Sequence, residues 1–156
     1  MSENEAEKLA AQAAYEEFYD AAISEPIKYL KHDTNSHEDD KLYRLVSMHG
    51  LSYYGMYWVL SENVAKRKGH YYDVSDEVGW KKLSRDMSCL CDVSVEQCRR
   101  FVDALYELEL IIPEQYDELQ RVTIMRIMRD ATKYAEAVAG RKLGAWKTNR
   151  KKLGIA

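Results

Sequence analysis

Apolar positions recur along this chain mostly at helical spacing, in stretches separated by short polar or glycine-bearing segments. Residues 3–23 mix Ala, Glu and Tyr without Gly or Pro, which predicts a polar helix that Pro26 ends. The segment "HDTNSHEDD" then concentrates cap and turn formers, and Ser36 followed by Asp39 resembles a helix-start capping pair. A first core helix is expected over about 38–48, with Leu42, Leu45 and Val46 inward and Gly50 at its C-terminus. A central helix over 51–66, capped by Ser52 and closed by Gly69, places Tyr54, Tyr57, Trp58, Ser61, Val64 and Ala65 on one face.

Beyond it, "HYYDV" predicts a short strand, and Ser75 starts a helix carrying Val78, Leu83 and Met87. Ser94 and Gln97 form an S-x-x-Q capping box, followed by one stripe of Val95, Cys98, Phe101, Val102, Leu105 and Leu108. Two β-branched runs, 110–113 and 121–126, flank Pro113 and Asp117 and are expected to pair as a hairpin. From Met128 the composition returns to helix, with breaks expected at Gly140 and Gly144 before a Lys/Arg-rich arm. That order predicts a mainly α protein with a small β-hairpin: a winged helix-turn-helix with extra N- and C-terminal helices. The expected division is an acidic N-terminal helix over 1–25, a winged-helix domain over 26–127, and a C-terminal helix and basic tail over 128–156.

Charge sharpens this picture. The net charge of -3 over 156 residues conceals seven acids and one base in 1–25, against ten bases and two acids in 121–156. An acidic head and a basic tail point either to nucleic-acid contact by the tail or to pairing of the two ends. No apolar run is long enough for a membrane span, and the acidic start lacks a signal peptide's basic and apolar regions, so a cytoplasmic location is expected. Cys89, Cys91 and Cys98 are odd in number and do not match zinc spacing, so reduced thiols and no metal are expected.

In a winged helix the last helix enters a major groove while the wing and basic side chains hold phosphates. The reading helix would then be 94–108, where Arg99 and Arg100 are the only bases among outward positions that also include Glu96, Gln97, Asp103 and Glu107. Arg121 and Arg126 would serve the wing, and Arg141, Lys142, Lys147, Arg150, Lys151 and Lys152 a disordered phosphate-binding arm with Trp146 as anchor. Against metal or acid-base chemistry at His32, Asp33, His37, Glu38, Asp39 and Asp40 stands the polar, water-reached character of the segment. A structural role is expected there, with His32 packed on the aromatic helix and Asp33 or Ser36 capping backbone N–H groups. Tyr54, Tyr57 and Trp58 are expected in the core, and Tyr53, Tyr71 and Tyr72 nearer the surface. No phosphate loop, nucleophile elbow or metal-ligand motif is present, so no enzyme and no cofactor is expected.

Tyr29, Leu30, His32 and Asp33, then Asp40, Lys41 and Leu42, then His49, Gly50, Tyr54, Gly55, Tyr57, Trp58, Leu60 and Glu62 carry a family pattern. It resembles the N-terminal domain of Lin1244/Lin1753-like phage and prophage replication proteins, which are related to DnaD. The resemblance extends more weakly to about residue 144. It leaves the acidic N-terminal helix before the family's usual start, and too short a C-terminal segment for a second, DnaD C-terminal-like domain. It implies a winged-helix fold, a phage or prophage origin and so a bacterial host, and a part in organising replication initiation through protein and DNA contacts. With the basic tail and wing, DNA is expected as a partner chiefly through phosphates, and the helical faces are expected to serve self-association or a replisome protein. The resemblance implies no catalytic residues. The alternatives are a transcription regulator of the same fold, expected to be a two-fold dimer on a palindrome, and a pure protein-interaction module.

Overall fold

The computed structural model describes residues 2–155, which are mainly helical with one small antiparallel sheet. The elements are α1 (Glu3–Ile23), a 3-10 turn (Ser36–Glu38), α2 (Asp40–His49), α3 (Leu51–Ala65), β1 (Tyr72–Asp73), α4 (Glu77–Met87), α5 (Val95–Glu107), α6 (Pro113–Leu119), β2 (Arg121–Val122) and α7 (Met125–Lys152). Two compact units result: Pro26–Met128, and the two terminal stretches 2–25 and 129–155 together.

In the Pro26–Met128 unit, helix boundaries follow local chemistry. Asp39 caps α2, its carboxylate accepting from the N–H groups of Lys41 and Leu42 at 3.0 and 3.1 Å. Ser36 instead begins the 3-10 turn and donates its hydroxyl to the carbonyl of Asp33, so neither Ser36 nor Asp33 is the cap expected. Gly50, at φ 93°, ends α2 and also precedes α3, so Ser52 is an ordinary first-turn residue. Asp76, not Ser75, caps α4, accepting from Gly79 N–H at 2.8 Å. The Ser94 and Gln97 capping box forms as expected, with both reciprocal bonds present.

The core lies among α2 to α5 and the sheet, where Leu45, Leu60, Val64, Leu83, Phe101, Leu105, Ile111 and Ile124 are essentially fully buried. The α5 stripe delivers Cys98, Phe101, Val102 and Leu105 to that core, while Val95 and Leu108 sit half-buried at its margin. On α4, Trp80 takes the inward position and Val78 is 58% exposed, reversing the expected burial of Val78. Tyr72 is only 1% exposed, against the surface place expected for it, because β1 is sealed by β2 and by the end of α4.

The expected hairpin is only partly realised. The runs around Ile111 and Ile124 do meet antiparallel, with Ile112 N–H donating to Thr123 O and Met125 N–H to Leu110 O, each at 3.0 Å. Residues between them fold as α6, since Pro113 sits at the favoured first helical position and Gln120 closes the helix in the left-handed region at φ 50°. β2 pairs beyond that bridge with β1, in the register Tyr72 with Val122 and Asp73 with Arg121. Arg126 therefore stands in the first turn of α7 and not in a strand.

The second unit pairs α1 with the greater part of α7. Ala22, Ala135 and Val138 form its buried centre, flanked by Tyr19 and Ile23, and small side chains there let the helices approach closely. Phe18 stands under the Lys142 ammonium, 5.8 Å from the ring centre, so positions on α1 fall as those on α7 rise and the helices are antiparallel. The acidic helix thus packs on the basic one. Helix α7 passes through Gly140 and Gly144 without a break, contrary to the expected breaks and disordered arm. Each glycine costs about 1 kcal/mol relative to Ala, which a long helix with Ala131, Ala135, Ala137, Ala139 and Ala145 and a packed face readily offsets.

Candidate nucleic-acid interface

On α5, both outward arginines meet carboxylates. The Arg99 guanidinium pairs with Glu77 and lies 4.6 Å over the Trp80 ring, and Arg100 pairs with Glu96 at 3.5 Å. Arg99 also lines a cleft of about 500 Å3 with Asp76, Glu77, Trp80, Tyr116 and Asp117. That side of the unit is acidic, since residues 95–119 hold seven acids and two bases.

Arg126 is committed inside the fold. It donates to the Lys31 carbonyl at 2.9 Å, approaches Asp33 at 3.4 Å and sits 5.3 Å from the Trp58 ring centre, leaving its side chain 19% exposed. The His32 ring stacks on Trp58 with ring centroids 3.9 Å apart and lies 3.3 Å from the Tyr54 hydroxyl, as the sequence leads one to expect. Arg121 lies on β2 with its guanidinium 4.2 Å over Tyr71, and it does not join Arg126 in one wing surface.

The six bases of the C-terminal stretch are helical, which gives them defined directions. At about 100° per residue, Arg141, Lys147 and Lys151 fall on the side of α7 opposite the stripe of Ala135, Val138, Ala139 and Trp146, and Lys152 falls at the edge of that side. All four are exposed, with Gly144 and Thr148 between them. Lys142 lies toward Phe18, and Arg150 is half-buried 4.7 Å over Trp146. Lys151 and Lys152 also sit in the last turn, where positive charge complements the helix dipole.

A further basic group was absent from the sequence-derived candidates. Lys66, Arg67 and Lys68 follow α3, and Lys82 and Arg85 project from α4. The adjacent K-R-K triplet and the K-K pair at 81–82 were the available signals. Arg67 donates to Tyr71 O at 3.0 Å, covers the Tyr72 ring at 4.1 Å and approaches Asp86 at 3.9 Å, where Arg85 also arrives at 3.3 Å. Asp73 sits between β2 and α4. Its carboxyl is held below the ordinary range first by accepting from Ser75 and further by the nearby Arg121 and Lys82 charges.

A family model described as Lin1244/Lin1753-like, N-terminal, matches residues 29–127. The chain belongs to the Lin1244/Lin1753-like family. The matched span of this Lin1244/Lin1753-like chain ends one residue short of the end of the Pro26–Met128 unit, so the family segment is the unit containing α2 to α6 and the sheet. No curated protein and no solved structure matches it. Among the described residues of this family member, no helix is long and apolar enough to cross a membrane.

Proposed function

We propose that this protein is a non-enzymatic, DNA-binding component of phage or prophage replication initiation, and that it holds duplex DNA through phosphates with the outer face of α7. The observation that carries the reading is the set of Arg141, Lys147, Lys151 and Lys152 on one exposed side of a continuous helix whose other side is packed. From 141 to 152 that face spans about 17 Å at 1.5 Å per residue, the length of several phosphates along a strand. The family supports the replication context. The order α2, α3, β1, α4, α5 and a bridged return through β2 supports a winged-helix derivative in which α6 occupies the wing. Exposed Tyr43, Met48 and Leu51 supply apolar surface for a replisome protein or a second copy.

A second reading, a protein-interaction module, draws on the acid-rich α5 and α6 and on the pairing of Arg99 and Arg100 with carboxylates. Fluorescence anisotropy with labelled duplex across a salt series separates the two. DNA binding predicts a steep salt dependence, and replacing Arg141, Lys147, Lys151 and Lys152 by Gln lowers the slope of log K against log salt by up to about 3 to 4. No binding at low salt by the unaltered chain refutes the proposal.

A further inference from the structure

The Pro26–Met128 unit carries fourteen bases and seventeen acids, but they are sorted in space. Residues 95–119, which include α5 and α6, hold seven acids and two bases, and both bases meet carboxylates. Residues 66–68 and 81–86 hold six bases and one acid, Asp86. The fold brings Arg67, Lys82 and Arg85 of this second group together. Arg67 and Arg85 share Asp86, Arg67 and Lys82 line one cleft of about 170 Å3 with Tyr72, Asp73 and the α4 cap Asp76, and Arg121 is brought beside Asp73 by the sheet register, so the bases outnumber the three carboxylates they meet.

The two arginines at the centre are preorganised. The Arg67 guanidinium rests on the Tyr72 ring and Arg121 on the Tyr71 ring, so little side-chain freedom is left to lose when an anion arrives. Around them Lys66, Lys68 and Lys82 are exposed on long stems. A planar guanidinium flanked by reaching ammonium groups suits a row of phosphate oxygens, whereas the α5 and α6 side repels one.

We infer that the surface built by the Lys66–Lys68 turn, α4 and the start of β2 is a second phosphate-contacting site for duplex DNA, with the α5 and α6 face turned away from the duplex. The inference rests on the DNA-binding reading above, and it departs from the groove-reading use of α5 that a winged helix ordinarily implies.

The test uses the full chain carrying Lys66→Gln, Lys68→Gln and Lys82→Gln together, all at exposed positions so that circular dichroism and the melting curve stay those of the unaltered protein. In the anisotropy salt series this variant loses about 10-fold to 100-fold in affinity near 0.1 M salt, and its slope falls by about 2 to 3. A companion variant, Glu114→Gln with Glu118→Gln, changes affinity less than 3-fold. If the unaltered chain binds DNA and the lysine variant keeps both its affinity and its slope, this surface is refuted while the α7 reading stands. A gain of 10-fold or more in the companion variant also overturns it, because the duplex then lies against α6. Absence of binding by the unaltered chain removes both readings together.

Discussion

The His32 imidazole lies flat on the Trp58 indole, with ring centroids 3.9 Å apart and 13° between planes. Through this stack a polar segment rich in potential metal ligands is fastened to the central helix, and Arg126 approaches the same indole from the start of α7. The contact gives His32 and Asp33 a structural part: with Trp58 and Arg126 they hold the segment before α2 in place. Replacing Trp58 by Ala is expected to cost about 3 kcal/mol of unfolding free energy. Replacing His32 by Ala is expected to cost about 1, with a coupling of about 1 kcal/mol between the two sites in a urea double-mutant cycle. Additive effects would show the stack to be energetically idle.

Glycine has opposite meanings in two helices. A Cβ on Gly79 would stand 2.0 Å from the carbonyl oxygen of Asp73, so β1 and α4 touch there through backbone alone. Gly79→Ala is therefore expected to destabilise by about 2 kcal/mol, despite the better helix propensity of Ala. At Gly140 and Gly144 an added Cβ meets nothing within 4 Å. Gly140→Ala and Gly144→Ala should each add about 0.5 to 1 kcal/mol and raise helicity in circular dichroism. Loss of helicity in either would contradict a continuous α7.

The end of α6 offers a stabilising change. Gln120 adopts φ 50° and ψ 46° as an exposed residue, a conformation that costs a side-chain-bearing residue about 1 kcal/mol. Gln120→Gly should raise the denaturation midpoint by an equivalent amount. A fall would place a needed contact on the Gln120 side chain.

Thiol chemistry distinguishes the three cysteines. Cys89 and Cys91 are exposed and Cys98 is buried, so a thiol reagent at pH 8 should modify two groups quickly and the third only on unfolding. Burial pushes the Cys98 thiol up to about 11 from its ordinary 9.0, with Ser84 acting weakly in the opposite direction. Because the folded value is the higher one, the contribution to stability is fully present below pH 9 and is lost as pH rises toward 11. Cys98→Ala should lower stability at pH 7 and flatten this alkaline loss, as read from melts between pH 8 and pH 11.

Much of the helical framework was legible because its signals are local. The Ser94 and Gln97 box, Gly50 at φ 93° and the α5 stripe act within a turn or two of backbone, where a short window of sequence contains every participating group. Asp39 and Asp76 were missed as caps in favour of nearby serines because several residues in each segment have the same capacity, and only the path of the chain decides which carboxylate faces the free N–H groups. The candidate site was less legible. Arg126 had the composition of a phosphate contact, and its commitment to the Lys31 carbonyl and Trp58 depends on residues about seventy to ninety-five positions away.

By itself the sequence determined the helix-rich class, the start and stop of α1, α2, α3 and α5 to within a few residues, the family, and the opposed charges of the two ends. Those follow from hydrogen-bond capping, side-chain periodicity and composition, all of which are short-range or additive. Only the tertiary structure decided that α7 continues through two glycines, that α6 fills the intended turn, that β2 pairs with β1, and that Arg67, Lys82, Arg85 and Arg121 share one surface. Each of these weighs a modest local cost or preference against burial and pairing with distant residues. Such contacts exist only once the chain has closed on itself.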